Sequence, residues 1–290
     1  MAIVEAGNGR LIFAAAIRGA ELQSIRTADG AEWLWQGDPA FWTGRSPILF
    51  PIVGRNADGV ISIGGRPYTM GTHGFARASD FTAVESGGDT LRLRLEDSAE
   101  TRAQYPFAFR LDLVYAAEGD TLACRAEVTN RGTAPMPFSF GFHPALRWPL
   151  PGGEGKPHFV LLAEPEEPPT TRLGEGLMTA RAREPSVFVR GRYQPKADDF
   201  RRDAVIIDAL RSRSLRFGAD GGPAVDVGFA DFPSLGIWQK PGAGYLCIEP
   251  WQGLTPEVGG SNAIEDRPGI VWLEPRATRT FTMTLTPRRS

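Results

Sequence analysis

The chain contains three histidines, His73, His143 and His158. A side chain that titrates near neutrality is a natural proton carrier. His158 lies in the charged stretch KPHFV and reads as a solvated loop histidine. His73 sits in MGTHGFARASD, between glycines and polar residues. His143 sits in FSFGFHPALRWP, directly after an aromatic–glycine run and directly before a proline. The matching carboxylate is Glu249 in GYLCIEPWQGLTPEVGG. There the apolar run YLCI ends on Glu249, Pro250 ends strand pairing, and Trp251 offers a broad apolar face. A carboxylate beside an aromatic at the mouth of a sheet can be desolvated enough to raise its pKa toward that of a general base. Trp251 also suits a sugar, whose ring presents an apolar C–H face rimmed by hydroxyls. Residue types alone leave plainer readings open: a core histidine bonded to backbone, and a solvent-facing glutamate at a strand end.

A fourth segment, RSPILFPIVGRNADG, is an apolar run followed at once by Arg55, Asn56 and Asp58. Arg55 and Asn56 could donate to sugar hydroxyls or to a phosphate. Other chemistries lack their signatures. There is no G-x-S-x-G elbow, no G-x-x-x-x-G-K-[ST] phosphate loop, no G-x-G-x-x-G opening a helix and no H-E-x-x-H.

Elements able to position these residues are strands. Period-2 patterns run through LIFAAAI, VISIG, TLRLRLED, FRLDLVYAA, TLACRAEVTN, AVIIDAL, SLRFG, AVDVGF and TFTMTLTP. ADG, SGGD, EGD, NRG and DGG turns separate them. Short, regular spacing argues for a sandwich or related closed antiparallel architecture. SAETRAQY at 98–105 reads as a short helical turn. From Pro149 to about Pro169 the chain is dense in Pro, Gly and Glu and reads as a long surface excursion within one domain spanning 1–290. Residues 172–202 look similarly irregular.

Composition narrows the function class. Acidic and basic residues nearly cancel, 34 against 32, so nothing points to nucleic acid or an anionic membrane. The two cysteines, Cys124 and Cys247, sit in apolar alternating runs and read as buried, reduced thiols. No basic leader precedes a long apolar stretch, and no segment approaches ~20 uninterrupted apolar residues. The expected setting is cytoplasmic.

In order, HGFAR, GFHP and CIEPW resemble the aldose 1-epimerase (mutarotase) family, in its bacterial galactose-mutarotase-like branch. The likeness spans nearly the whole chain, from GAELQSIRTADGAEWLWQGDPAFW through SPILFPIVGR, THGFAR and MPFSFGFHPAL to DFPSLGIWQKPGAGYLCIEPWQG. It implies an all-β fold, a large antiparallel β-sandwich of twisted sheets with an open cleft on one sheet face. It implies Glu249 as general base and His143 as general acid. His73, Arg55 and Asp203, which opens DAVIIDAL, would bind the sugar beside Trp251. The implied reaction is anomer interconversion on a small sugar, by a monomer or homodimer, with no cofactor and no metal. Two alternatives remain. One is a hexose-6-phosphate mutarotase, with Arg77 and Arg147 available to a phosphate. The other is a non-catalytic carbohydrate-binding protein on the same scaffold.

Overall fold

A computed structural model describes residues 2–175, 179–180 and 182–289. Its architecture is all-β, with large antiparallel sheets. The largest sheet has nine strands. In spatial order they are Arg192–Tyr193, His158–Leu162, Ser214–Ala219, Ala224–Gly228, Thr278–Arg288, Thr121–Asn130, Phe109–Glu118, Thr90–Glu96 and Thr82–Gly87. Alternation decides which face turns inward. Leu91, Leu93 and Leu95 are buried while Arg92 and Arg94 point out. Phe281, Met283 and Leu285 repeat the pattern on the central strand. Asp112 is buried on the outer face, where Arg92, Arg94 and Arg110 surround it.

The second large sheet carries Val205–Ile207, Ser234–Trp238, Tyr245–Gln252, Phe140–Phe142 and Ile48–Leu49, with Ala145–Arg147 also paired to Tyr245–Gln252. One face of it packs on the nine-stranded sheet. Leu235, Ile237, Leu246, Ile248, Phe140 and Phe142 join that core, and Phe140 stacks on Phe281 with ring centroids 5.3 Å apart. The opposite face, reached by the alternate residues of the same strands, is free to form a site. A smaller sheet, Ile3–Gly7, Leu11–Ala16 and Leu22–Thr27, completes the sequence's first strands.

The helical turn foreseen at 98–105 is a short α-helix, Ala99–Arg102, capped reciprocally by Ser98 and Thr101. The Pro149–Pro169 stretch is not purely a surface excursion, because His158–Leu162 is an interior strand of the large sheet. His158 is correspondingly not solvated. Its Nε2 accepts from the Leu150 amide at 3.1 Å and its Nδ1 faces the Lys156 carbonyl at 2.9 Å, which fixes a neutral, structural imidazole. Both cysteines are buried and free. Among the described residues no helix is long and apolar enough to cross a membrane.

Two loops leave this scaffold toward the free face, residues 50–55 and 72–75. They are held together by Phe50 N to His73 O at 3.2 Å and His73 N to Gly54 O at 2.6 Å. The approach is so close that a Cβ on Gly74 would lie 2.2 Å from the Phe50 carbonyl oxygen, and Gly74 also has φ of +73°. Both conditions demand glycine. Gly74→Ala is therefore expected to cost about 2–4 kcal/mol of folding stability. Urea unfolding measures this directly; a loss below about 1 kcal/mol would mean that the two loops part easily.

Candidate active site

The strand Tyr245–Gln252 alternates Leu246, Ile248 and Pro250 toward the core with Tyr245, Cys247, Glu249 and Trp251 toward the other face. Two antiparallel ladders fix what lies opposite. Ala145 pairs with Cys247, and Gly141 pairs with Trp251. These pairs share one register, so His143, between them, faces Glu249 across the strands. The Nε2 of His143 stands 3.1 Å from Oε2 of Glu249. On the other side Glu249 pairs with Gly236. The glycines make room for the Trp251 indole. A Cβ on Gly141 would lie 2.7 Å from it and one on Gly236 2.6 Å from it.

His143 and Glu249 are both buried, 7% and 1% exposed. Burial pushes the Glu249 carboxyl well above the ordinary carboxylate range. Like charge from Asp203 adds to this, and the Trp251 indole N–H opposes it. Burial pulls His143 well below the ordinary imidazole value, and His73 and Arg77 act in the same direction. Both shifts disfavour charge. The neutral arrangement, with one proton between Glu249 Oε2 and His143 Nε2, is therefore favoured, and the two groups titrate as a coupled pair. Aromatic rings wall it in. Trp42 lies 5.2 Å from the His143 ring and Trp238 lies 5.9 Å from it, edge-on.

His73 belongs to the adjoining loop, in a left-handed conformation with φ of +64°. Its Nδ1 accepts a hydrogen bond from the Gly54 amide at 3.0 Å. An accepting Nδ1 places the proton on Nε2, leaving a neutral donor beside His143, whose ring is 5.8 Å away. Desolvation, with Arg77 and Arg267 nearby, lowers the His73 pKa to about 3. Arg267 is itself buried. Its guanidinium donates to the Val53 carbonyl and to Asn56 Oδ1 rather than to a carboxylate, and burial pulls its pKa down to about 9.

One cleft of about 830 Å³, solvent at its mouth included, is lined by all six residues singled out from the sequence: Arg55, His73, His143, Asp203, Glu249 and Trp251. Arg77 lines it too. Arg147 does not; it lies in a separate groove beside Trp35 and Trp148. Asp203 has φ of +65°, accepts from the Ala204 amide at 2.7 Å, and is raised above the ordinary aspartate value chiefly by burial. Trp42 and Trp238 also line the cleft, and the sequence reading passed over both. Trp238 had a usable signal: in SLGIW, alternation puts Ser234, Gly236 and Trp238 on the face of Glu249 and Trp251. Trp42 lies outside the regular strands and carried no periodicity.

Such a site can move protons. It offers a buried carboxyl–imidazole pair sharing one proton, a neutral histidine donor, cationic side chains, and flat apolar surfaces for a ring.

Residues 3–261 match the family model described as aldose 1-epimerase. The chain is 33% identical over 271 residues to the chromosomal protein LacX of Lactococcus lactis subsp. lactis, covering 90% of this chain and 91% of that one. A galactose mutarotase related enzyme from Lactobacillus acidophilus superposes with a TM-score of 0.93 at 27% identity, covering 99% of this chain and 97% of its own. A galactose mutarotase-like protein from Lactobacillus casei superposes at 0.89 with 26% identity, covering 99% and 100%.

The low pKa of His73 has a consequence for stability. Its folded value is depressed, so from pH 6.5 down to about 3 the unfolded chain binds a proton that the folded chain refuses. This group's contribution is complete above pH 6.5 and is lost as pH falls through that window. In urea titrations across it, His73→Gln is expected to flatten the slope of unfolding free energy against pH by up to one proton. An unchanged slope would show that His73 titrates normally in the folded state.

Proposed function

The chain belongs to the aldose 1-epimerase family, and we propose that it interconverts the α and β anomers of a hexose by acid–base ring opening and closure. The observation that carries this reading is the buried Glu249–His143 pair at 3.1 Å, facing a cleft lined with tryptophan. Opening a cyclic hemiacetal removes the proton of the C1 hydroxyl and delivers one to the ring oxygen. Both oxygens sit on one carbon, so base and acid must stand side by side. In this reading Glu249 takes the hydroxyl proton and His143 protonates the ring oxygen. The C1–C2 bond then rotates, and closure on the other face returns both protons by the same two groups.

Proton count favours the pair. Ionised carboxylate with imidazolium holds the same single proton as neutral carboxyl with neutral imidazole. A bound sugar that replaces their mutual hydrogen bond can therefore draw on the charged arrangement without proton exchange with solvent. His73 would donate through Nε2 to an oxygen near C1, and Arg55 and Asp203 would hold other hydroxyls. Trp251, Trp42 and Trp238 would pack on the C–H faces of the ring.

A second reading rests on charge. Arg55 and Arg77 line the cleft, and among the described residues neither lies within ion-pair distance of a carboxylate. Two unpaired guanidiniums favour an anionic group, such as the phosphate of a hexose phosphate. Comparing glucose with glucose 6-phosphate separates the readings. If the phosphate is bound, Arg77→Ala raises KM for the phosphorylated sugar about 10-fold or more while KM for glucose stays put.

Polarimetry on freshly dissolved α-glucose or α-galactose tests the chemistry. Glu249→Gln and His143→Asn should fold normally and each lose about 10²–10⁴-fold in kcat. Arg55→Ala should chiefly raise KM. Wild-type rates in either of the first two variants, or sugar binding by calorimetry with no change in anomerisation rate, would sink the proposal. The wild-type kcat should also show a plateau that ends on the alkaline side above the ordinary carboxylate range, where the pair loses its proton, and on the acid side below the ordinary imidazole range, where it gains a second.

A further inference from the structure

Below the proton-transfer pair lies a group that the proposed reaction does not use. Cys247 precedes Glu249 by two residues on the same strand face and is wholly buried against Ala145, Ala243 and Tyr245. One ligand atom from each of His143, Cys247 and Glu249 lies within 4.8 Å of the other two. Glu249 Oε1 is buried without a hydrogen-bond partner. An imidazole, a thiol and a carboxylate are each zinc ligands, and three protein ligands leave the fourth position of a tetrahedral zinc open.

We propose that His143, Cys247 and Glu249 form a binding site for Zn2+ or a similar thiophilic divalent ion, and that occupancy of this site shuts the active site. Zinc bonds of about 2.0–2.3 Å place ligand atoms roughly 3.3–3.8 Å apart in a tetrahedron. The His143–Glu249 separation of 3.1 Å is already close to this. No two of the three ligand atoms are more than 4.8 Å apart, so closing on the ion takes at most about 1 Å of side-chain movement. The ion enters through the cleft, which both residues line. The fourth position then faces the cleft and takes a water or a sugar hydroxyl. On binding, the sulfur–metal bond replaces the Cys247 S–H bond, and the proton shared by Glu249 and His143 leaves as well. Both protons go to solvent, and no electron is transferred. Mg2+, which prefers six oxygens, has no such site here.

Binding rests on the geometry alone, whereas inhibition also rests on the proposed roles of Glu249 and His143, so the two are measured separately. Co2+ added to the wild-type protein is expected to give the ligand-to-metal charge-transfer band of a cobalt–thiolate, at one ion per chain and displaceable by Zn2+. Cys247→Ala and Cys247→Ser should both abolish it. In polarimetry, Zn2+ should inhibit the wild type reversibly on addition of EDTA, with Mg2+ without effect. The Cys247 variants should keep basal activity and need at least about 10-fold more Zn2+ for half-inhibition. Absence of the cobalt–thiolate band in the wild type overturns the site, whatever the activity shows. Equal zinc sensitivity in wild type and both variants overturns the role of Cys247. The band without inhibition leaves the site standing and overturns the link to the active site.

Discussion

Everything about the cleft depends on burying a carboxyl and an imidazole against each other. Two ionised groups at that depth would carry a heavy desolvation cost, and breaking one partner away would strand the other. The molecule avoids much of this by holding a single proton between them, so that the resting pair has no net charge. Strand register, rather than a loop, sets their separation. Ladders on both sides of His143 and Glu249 share one pairing, which fixes the backbone positions from which the two side chains meet. A one-residue slip would send both to the core face and bring Phe142 and Ile248 into the cleft.

The two large sheets divide the work. The nine-stranded sheet supplies area, with leucines and Phe281 meeting the core from one side. The smaller sheet supplies parity: its even-numbered residues on Tyr245–Gln252 pack inward while its odd-numbered ones build the site. Gly141 and Gly236 flank Trp251 because a strand face carrying an indole has no space for side chains on both neighbours. In isolation these glycines weaken their strands. Here they leave room for the Trp251 indole that lines the cleft.

This division explains what was legible in the sequence. Strands such as Thr121–Asn130 announce themselves by alternation, and their bounds fall where the pattern places them. Glu249 and His143 were legible only as polar residues at the ends of apolar runs, equally suited to a dull structural role. They are 106 positions apart, and their meeting is a property of sheet pairing that no local window contains. The ordered HGFAR, GFHP and CIEPW segments carried that non-local information. His158 shows the converse. A charged neighbourhood suggested solvent, but backbone groups of Leu150 and Lys156 consume both ring nitrogens inside the sheet. Arg147 fails for a related reason: its position along the chain lies near the cleft, yet it opens onto the neighbouring groove.

Charge around the pair is arranged asymmetrically. Asp203 opposes ionisation of Glu249, while Arg77 opposes protonation of both His143 and His73. Arg267 adds to this at His73 from behind, held by Val53 and Asn56. A cluster of two histidines beside a carboxyl could take up protons in several arrangements. The Gly54 amide and the arginines remove most of them by fixing His73 as a neutral donor. The mobile proton is then confined to one hydrogen bond, between Oε2 of Glu249 and Nε2 of His143. A buried pair of this kind needs a defined proton as much as it needs defined distances, and here the loops carrying Gly54 and His73 supply the first while the strands supply the second.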